Sequence, residues 1–391
     1  CFGRFFLRHH QSFNQPPIDT IRVDWSQGQS RKILYIHGMT NTTPHMSLHD
    51  ADTQMKHDRQ IAYWLFTVAG FVVLMVLVGG LTRLTDSGLS ITEWEPIRGA
   101  IPPFSQAAWD LAFEKYQQIP EFTLINHAMT LQEFKVIYWW EWAHRFLGRI
   151  VGLVFLLPFL VFLLQGKLAR HRIAPLLGLF ALGGLQGFMG WYMVSSGLSE
   201  RVDVSQYRLA MHLGLALIIF AVALWLALSY RRGVDGRLQS GARVAAGGLI
   251  VGLILVQSLL GALVAGIDAG MTYNDWPFMD GDIIPSGLFA YQPLITNFFE
   301  NHLTVQFDHR LLAYLLTAVV GWHIYRILQS DPRPRVRQTA VYLGLGMVAQ
   351  VVLGIVALML VLPIGLAAAH QIGAVIVLGL AITHLHFLRH N

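Results

Sequence analysis

The sequence is almost without cysteine: of 391 residues only Cys1 carries a thiol. An intrachain disulfide, a cysteine-based zinc or iron–sulfur site and a thiol nucleophile in the body of the chain are therefore excluded. Charge is scarce too. Asp, Glu, Lys and Arg make up 13% of the residues, about half the share of a soluble domain, while 54% are apolar. That balance excludes both disorder and a soluble enzyme. A formal net charge of +5 does not point to nucleic acid, because the basic residues fall in short segments between apolar runs, where they act as topology signals. Metal chemistry is left to histidine, of which there are 17.

What is present is a series of apolar runs about twenty residues long, each enough to cross a bilayer. Eight begin near Ile61, Val136, Ala174, Tyr207, Ala242, Leu303, Ala340 and Leu362. With the N-terminus inside, the inner flanks collect 14 Lys and Arg, among them Lys56, Arg172, Arg237 and Arg333, and the longer outer segments only 6. The stretch from Ile267 to Asn301 has no Lys or Arg at all. The positive-inside rule then places both termini inside. Residues 1–57 differ: polar, with His9, His10, His37, His45 and His49, they read as a loose tail whose acid-poor start would suit an organelle address, with Met46 or Met55 an equally good start.

The chain repeats itself. Leu77 to Gly88 with Glu93-Trp94 aligns at an offset of 182 with Leu259 to Gly270 and Asp275-Trp276. His144-Arg145 matches His309-Arg310 at an offset of 165, and Gln186-x-x-x-Gly190 matches Gln350-x-x-x-Gly354. Four spans return the chain to the side where it began, so both copies share one orientation. The expected fold is an all-α integral membrane protein, eight transmembrane helices forming two pseudo-symmetric four-helix bundles, residues 58–232 and 233–391.

Within that topology His144, His212, His309 and His370 each fall about five to eight residues into an even-numbered span, roughly 7–12 Å below the outer surface at ~1.5 Å per residue. A lone intramembrane histidine more often bonds a neighbouring helix; four at one depth, placed by a repeat, favour ligation. One imidazole from each of two helices ligates a haem iron from both faces, giving the pairs His144 with His212 and His309 with His370. Glu141 lies one turn above His144, on the same helix face. The di-iron alternative fails on counting, since no second Glu-x-x-His falls on another span and the counterpart of Glu141 is Gln306. That difference marks the first half as the reactive one, with pairing to Arg145 as the structural alternative for Glu141. Arg83, Arg145, Arg149 and Arg310 are candidate partners of porphyrin propionates. The tryptophans and tyrosines of the outer loops, such as Trp94, Trp109, Tyr116, Tyr138 and Trp276, are expected in the interfacial aromatic belt. His323, His384, His386 and His390 are expected at the inner interface.

The segments Gly79-Gly-Leu-Thr-Arg83-Leu-Thr-Asp-Ser-Gly88, Ile101-Pro-Pro, Trp140-Glu141-Trp-Ala-His144-Arg145, Asn274-Asp-Trp276-Pro-Phe-Met-Asp-Gly and Asp308-His309-Arg310 resemble the haem A synthase family, in its mitochondrial and proteobacterial branch. The resemblance runs from about Asp58 to Arg389. It implies an oxidoreductase that converts the C8 methyl of haem O to a formyl group, making haem A for terminal oxidases. It further implies haem B held by His309 and His370, substrate haem facing His144 and His212, and a functional Glu141. Expected partners are membrane lipid, haem O synthase, cytochrome oxidase assembly factors and an electron donor, with a homo-oligomer left open and no nucleic acid. The implied location is the bacterial inner membrane, the mitochondrial inner membrane being the alternative. A cysteine pair that some members carry in the first outer loop is lacking here. An electron-transfer cytochrome b and a haem carrier remain as rivals; the former requires equivalent halves. For the topology, a reporter fused after Asp331 should be found inside and one near Gly287 outside; the reverse pattern would overturn the orientation.

Overall fold

In the computed structural model residues 48–232 and 239–390 are described, with side chains from residue 52. His9, His10, His37, His45 and Arg237 lie outside the described residues. The membrane-crossing helices are α1 (Leu48–Leu84), α3 (Leu131–Leu164), α4 (Arg170–Val194), α5 (Gln206–Arg232), α6 (Ala242–Gly266), α8 (His302–Ser330), α9 (Pro334–Met359) and α10 (Ile364–Arg389). Two short helices, α2 (Gln106–Tyr116) and α7 (Asn297–Glu300), belong to the outer segments. The protein is thus an all-helical membrane protein with eight helices long and apolar enough to span.

Helix α1 begins at Leu48, so residues 48–57, expected to belong to the tail, are helical. An i,i+4 pair of Asp52 with Lys56 (2.8 Å) supports this turn, and Gln54 donates to Asp58 (2.8 Å). Asp58 is itself buried against Arg172 of α4 (2.8 Å). The other termini follow local chemistry. Thr130 and Glu133 form a reciprocal capping box on α3, Asn301 caps α8, and Pro334 opens α9 where a missing N–H costs nothing. At the outer ends of α1 and α6 the chain turns through left-handed residues, Asp86 (φ 46) and Asp268 (φ 53), 182 residues apart in the repeat. Aspartate tolerates that conformation better than most residues.

The two sets of four helices do not close on separate cores. Leu65 and Val72 of α1, Leu217 and Ala223 of α5, Ile250 of α6, Val320 of α8 and Leu378 of α10 belong to one continuous apolar cluster. Helices α1 and α5 pack against each other and against α10, and α5 also packs against α6. Between the halves the Nε2 of Gln371 on α10 donates to the Val76 carbonyl of α1 (3.2 Å), in the space that Gly80 leaves open. Leu157 and Leu164 on α3 and Leu345 and Val352 on α9 point outward, as a lipid-facing surface requires.

At the inner end the histidines are not interfacial. His323, His384 and His386 are buried, and α10, which carries two of them, packs against α9, α6 and α5. The Nε2 atoms of His323 and His384 lie 3.0 Å apart, the other His384 nitrogen meets Thr339 (2.9 Å), and His386 meets Ser229 (3.1 Å).

At the outer end the segment between α1 and α3 folds into an aromatic cap. Trp109, Tyr116 and Tyr138 are buried in it with Phe134, whereas Trp94 and Trp276 stay exposed as a belt would have them. The rings of Tyr116 and Phe134 lie 5.2 Å apart and those of Trp109 and Tyr138 4.9 Å. Inside the cap sits Glu121, 6% exposed, at the start of a π-helical turn. Its Oε1 accepts from Asn126 (3.3 Å) while Oε2 is buried without a partner. Burial pushes its carboxyl up to about 8, the Tyr116 hydroxyl offsetting part of the rise. The folded cap therefore prefers the protonated form. Its contribution is complete below the ordinary carboxylate range and is lost as pH rises through about 8. The thermal unfolding midpoint, followed by tryptophan fluorescence, should fall between pH 4.5 and about 8 for the parent protein and stay flatter for Glu121→Gln; equal slopes would refute this.

Candidate functional site

Each of the four outer-level histidines stands opposite a glycine on the preceding spanning helix. A Cβ built on Gly79 of α1 would lie 2.7 Å from Cε1 of His144 on α3. The same construction at Gly190 of α4 meets His212 on α5 at 3.1 Å, at Gly261 of α6 meets His309 on α8 at 3.2 Å, and at Gly354 of α9 meets His370 on α10 at 2.7 Å. Real Cβ contacts are rarely so short, so the four glycines form notches that receive the imidazoles.

Three of the notches carry a brace one turn away. Nε2 of Gln186 donates to the His212 carbonyl (3.0 Å) and lies 3.1 and 3.3 Å from the two ring nitrogens. Gln257 holds His309 in the same manner (2.9 Å to the carbonyl), and Gln350 holds His370 (2.9 Å to the carbonyl, 3.1 Å to Nδ1). The pattern is Gln-x-x-x-Gly, whose i,i+4 spacing puts both residues on one face. Two copies are visible as part of the repeat; the third, Gln257 with Gly261, escaped it because its repeat counterpart is Met75. A polar residue inside an apolar span was the available signal. At α1 the motif reads Met75-x-x-x-Gly79, and His144 has a buried Nδ1 with no partner.

One turn above His144, Glu141 is 2% exposed and wholly engaged. Its Oε2 accepts from the Ser90 hydroxyl and the Ile91 amide, both at 2.7 Å, and its Oε1 from Arg145 at 2.6 Å. Arg145 in turn donates to the carbonyls of Ile91 (2.6 Å) and Glu93 (2.7 Å). In the second half Gln306 donates to the carbonyls of Ala269 (3.0 Å) and Tyr273 (3.1 Å) and accepts from Arg310 (3.1 Å). Arg310 donates to the carbonyls of Tyr273 (2.9 Å) and Asp275 (3.0 Å). Ile91 and Tyr273, like Glu93 and Asp275, are 182 apart. The two halves thus carry the same latch between loop and helix, so the change from Glu141 to Gln306 reverses its polarity and is not by itself a mark of chemistry.

The candidate propionate partners are engaged within the protein. Arg83 binds Asp86 (2.8 Å), Asp268 (3.0 Å) and the Ala265 carbonyl (3.1 Å), and Arg149 binds the carbonyls of Pro96 and Glu95 (2.8 Å each). Buried and unpartnered donors remain at Nε of Arg83 and Arg310 and Nη1 of Arg149. A cleft of about 310 Å³ opens over Arg145 and Arg149, between Ile91, Phe104 and Lys115; none of the four histidines lines it.

Among the described residues no three His, Cys, Asp or Glu side chains converge as a metal cage. A metal held mainly by a planar macrocycle asks the chain for only two ligands, and paired imidazoles in notches from which side chains are withheld fit such a group.

A family model described as cytochrome oxidase assembly protein, COX15-CtaA, matches residues 62–382. The chain is 52% identical over 328 residues to a heme A synthase of Parvibaculum lavamentivorans, covering 84% of this chain and 94% of that protein. It is 48% identical over 342 residues to one of Rhizobium meliloti, covering 88% and 93%. A third, from Sinorhizobium medicae, is 50% identical over 329 residues, covering 84% and 90%.

The latch predicts that neither position accepts the side chain of the other. In Glu141→Gln an amide N–H must face one of three donors, so hydrogen exchange in residues 85–105 should accelerate by an opening cost of about 1–3 kcal/mol. Gln306→Glu should open residues 267–280 at least as far, since a carboxylate would face two carbonyls. Unchanged exchange in both variants would contradict the latch.

Proposed function

The chain belongs to the COX15-CtaA family of cytochrome oxidase assembly proteins, and from that premise we propose that it performs the reaction its relatives are named for, forming haem A from haem O in the bacterial inner membrane. The reaction oxidises the C8 methyl of haem O to a formyl group for use in cytochrome oxidase assembly. The observation that carries this reading is the set of four glycine notches, each receiving an imidazole at the outer level of a spanning helix.

His309 and His370 would hold a resident haem B, which supplies one-electron redox chemistry when bound. Two braces, Gln257 and Gln350, support that assignment by fixing both imidazoles of the second half. His144 and His212 would hold the substrate porphyrin. The unpartnered guanidinium nitrogens of Arg83, Arg149 and Arg310 are the donors left for propionates. Glu141, held by three donors one turn above His144, would place negative charge beside the methyl carbon as positive character develops there. Its latch holds the first outer loop over the reactive half at the same time.

Porphyrins extracted from the purified protein and identified by mass test this reading. Haem B together with haem O, haem A or a hydroxylated haem is expected; haem B alone would favour an electron-transfer cytochrome. His309→Ala or His370→Ala should remove a six-coordinate low-spin haem B signal. A folded Glu141→Gln protein that keeps haem B but accumulates haem O or its hydroxylated form would assign the carboxylate to the reaction, and normal haem A yield would leave it only the latch.

A further inference from the structure

The function proposed above asks opposite things of two similar sites: a cofactor must stay, while a substrate must enter and its product must leave. The structure contains a difference of that kind. Both histidines of the second half are braced by glutamine, whereas in the first half only His212 is, by Gln186. His144 has the notch at Gly79 but no brace, and its Nδ1 is buried and unpartnered. Met75 occupies the position of the missing glutamine. Its terminal methyl reaches toward α3 at Gly148, 3.7 Å from a Cβ built there, one turn beyond His144. A thioether donates no hydrogen bond and adapts its shape easily.

We propose that Met75 is a positioning residue that makes the first-half pair the exchanging site, because it leaves His144 unbraced where the other three imidazoles are held by Gln-x-x-x-Gly. This rests on the assignment of substrate to the first half. An axial imidazole holds its metal well when its orientation is fixed in advance by a hydrogen bond from a neighbour. A brace on the carbonyl and ring of each second-half histidine supplies that preorganisation. Its absence at His144 lets the ring reorient and the porphyrin depart.

The test is the rate at which haem passes from the loaded protein in detergent to an excess of a haem-scavenging apoprotein. The parent protein should release haem in a fast and a slow phase, and His309→Ala, lacking the second site, should keep only the fast one. Met75→Gln should slow the fast phase roughly three- to tenfold, the size of one net hydrogen bond, and leave the slow phase unchanged. The reciprocal Gln257→Met should speed the slow phase by a similar factor and leave the fast one unchanged. A general loss of packing would move both phases together, so a change in both, or in neither, overturns the proposal. If Met75→Gln does not fold, Gln257→Met decides by the same criterion. Release from the parent in a single phase also overturns it, whereas a parent protein that binds no haem defeats the functional reading itself.

Discussion

A five-membered ring can stand between two packed membrane helices only if the facing helix withholds a side chain. Everything at the outer level of this protein depends on that constraint. Gly79, Gly190, Gly261 and Gly354 provide the space, and because each lies on the helix preceding its histidine, the chain order of the spans also fixes the order of the contacts. Close backbone approach at glycine is a general means of bringing membrane helices together. Here it sets the level and facing of a polar ring that the bilayer would otherwise penalise.

The second element is the latch that ties each first loop to the next spanning helix. A buried carboxylate requires donors and a buried amide can supply them, so Glu141 accepts from Ser90 and Ile91 where Gln306 donates to Ala269 and Tyr273. In both halves the arginine four residues on completes the arrangement by taking loop carbonyls that would otherwise be left without partners. Arg145 and Arg310 are thereby committed mainly to shaping the loops above the histidines. Their neighbour Arg83 joins Asp86 and Asp268, the two left-handed turn residues of the repeat. Arg83, Arg145 and Arg310 are therefore part of the scaffold, and among their buried nitrogens only Nε of Arg83 and Nε of Arg310 are left without a partner.

Much of this was legible in the sequence because membrane crossing leaves a coarse signal. Runs of apolar residues gave the spans, and a repeat placed four histidines in register with Glu141 and Gln306. What escaped depends on contacts far apart in the chain. The helical start at Leu48 is supported in part by Arg172, 114 residues beyond Asp58. Trp109 and Tyr116 carry the composition of an interfacial belt, and only the fold of the outer segment around Phe134 and Glu121 buries them. His323, His384 and His386 sit at span ends that sequence assigns to the interface, yet tertiary packing encloses them and their polar atoms find one another, Thr339 and Ser229. The shared core of the two halves is likewise invisible to a repeat, which records internal likeness and not how the copies meet.

On the function proposed above, the repeat would also account for how one architecture holds two sites of unequal character. Duplication supplies equal notches, and equal notches alone would give two equivalent pairs. Inequality then requires only local departures that leave the scaffold intact. The reversal of Glu141 to Gln306 leaves the latch closed, since the loop groups it meets reverse with it. The departure at Met75 is not compensated in that way: nothing replaces the missing amide, and the cost appears as the unpartnered Nδ1 of His144. An uncompensated difference is the one that can change how a site behaves, because a compensated one returns the same geometry by another route.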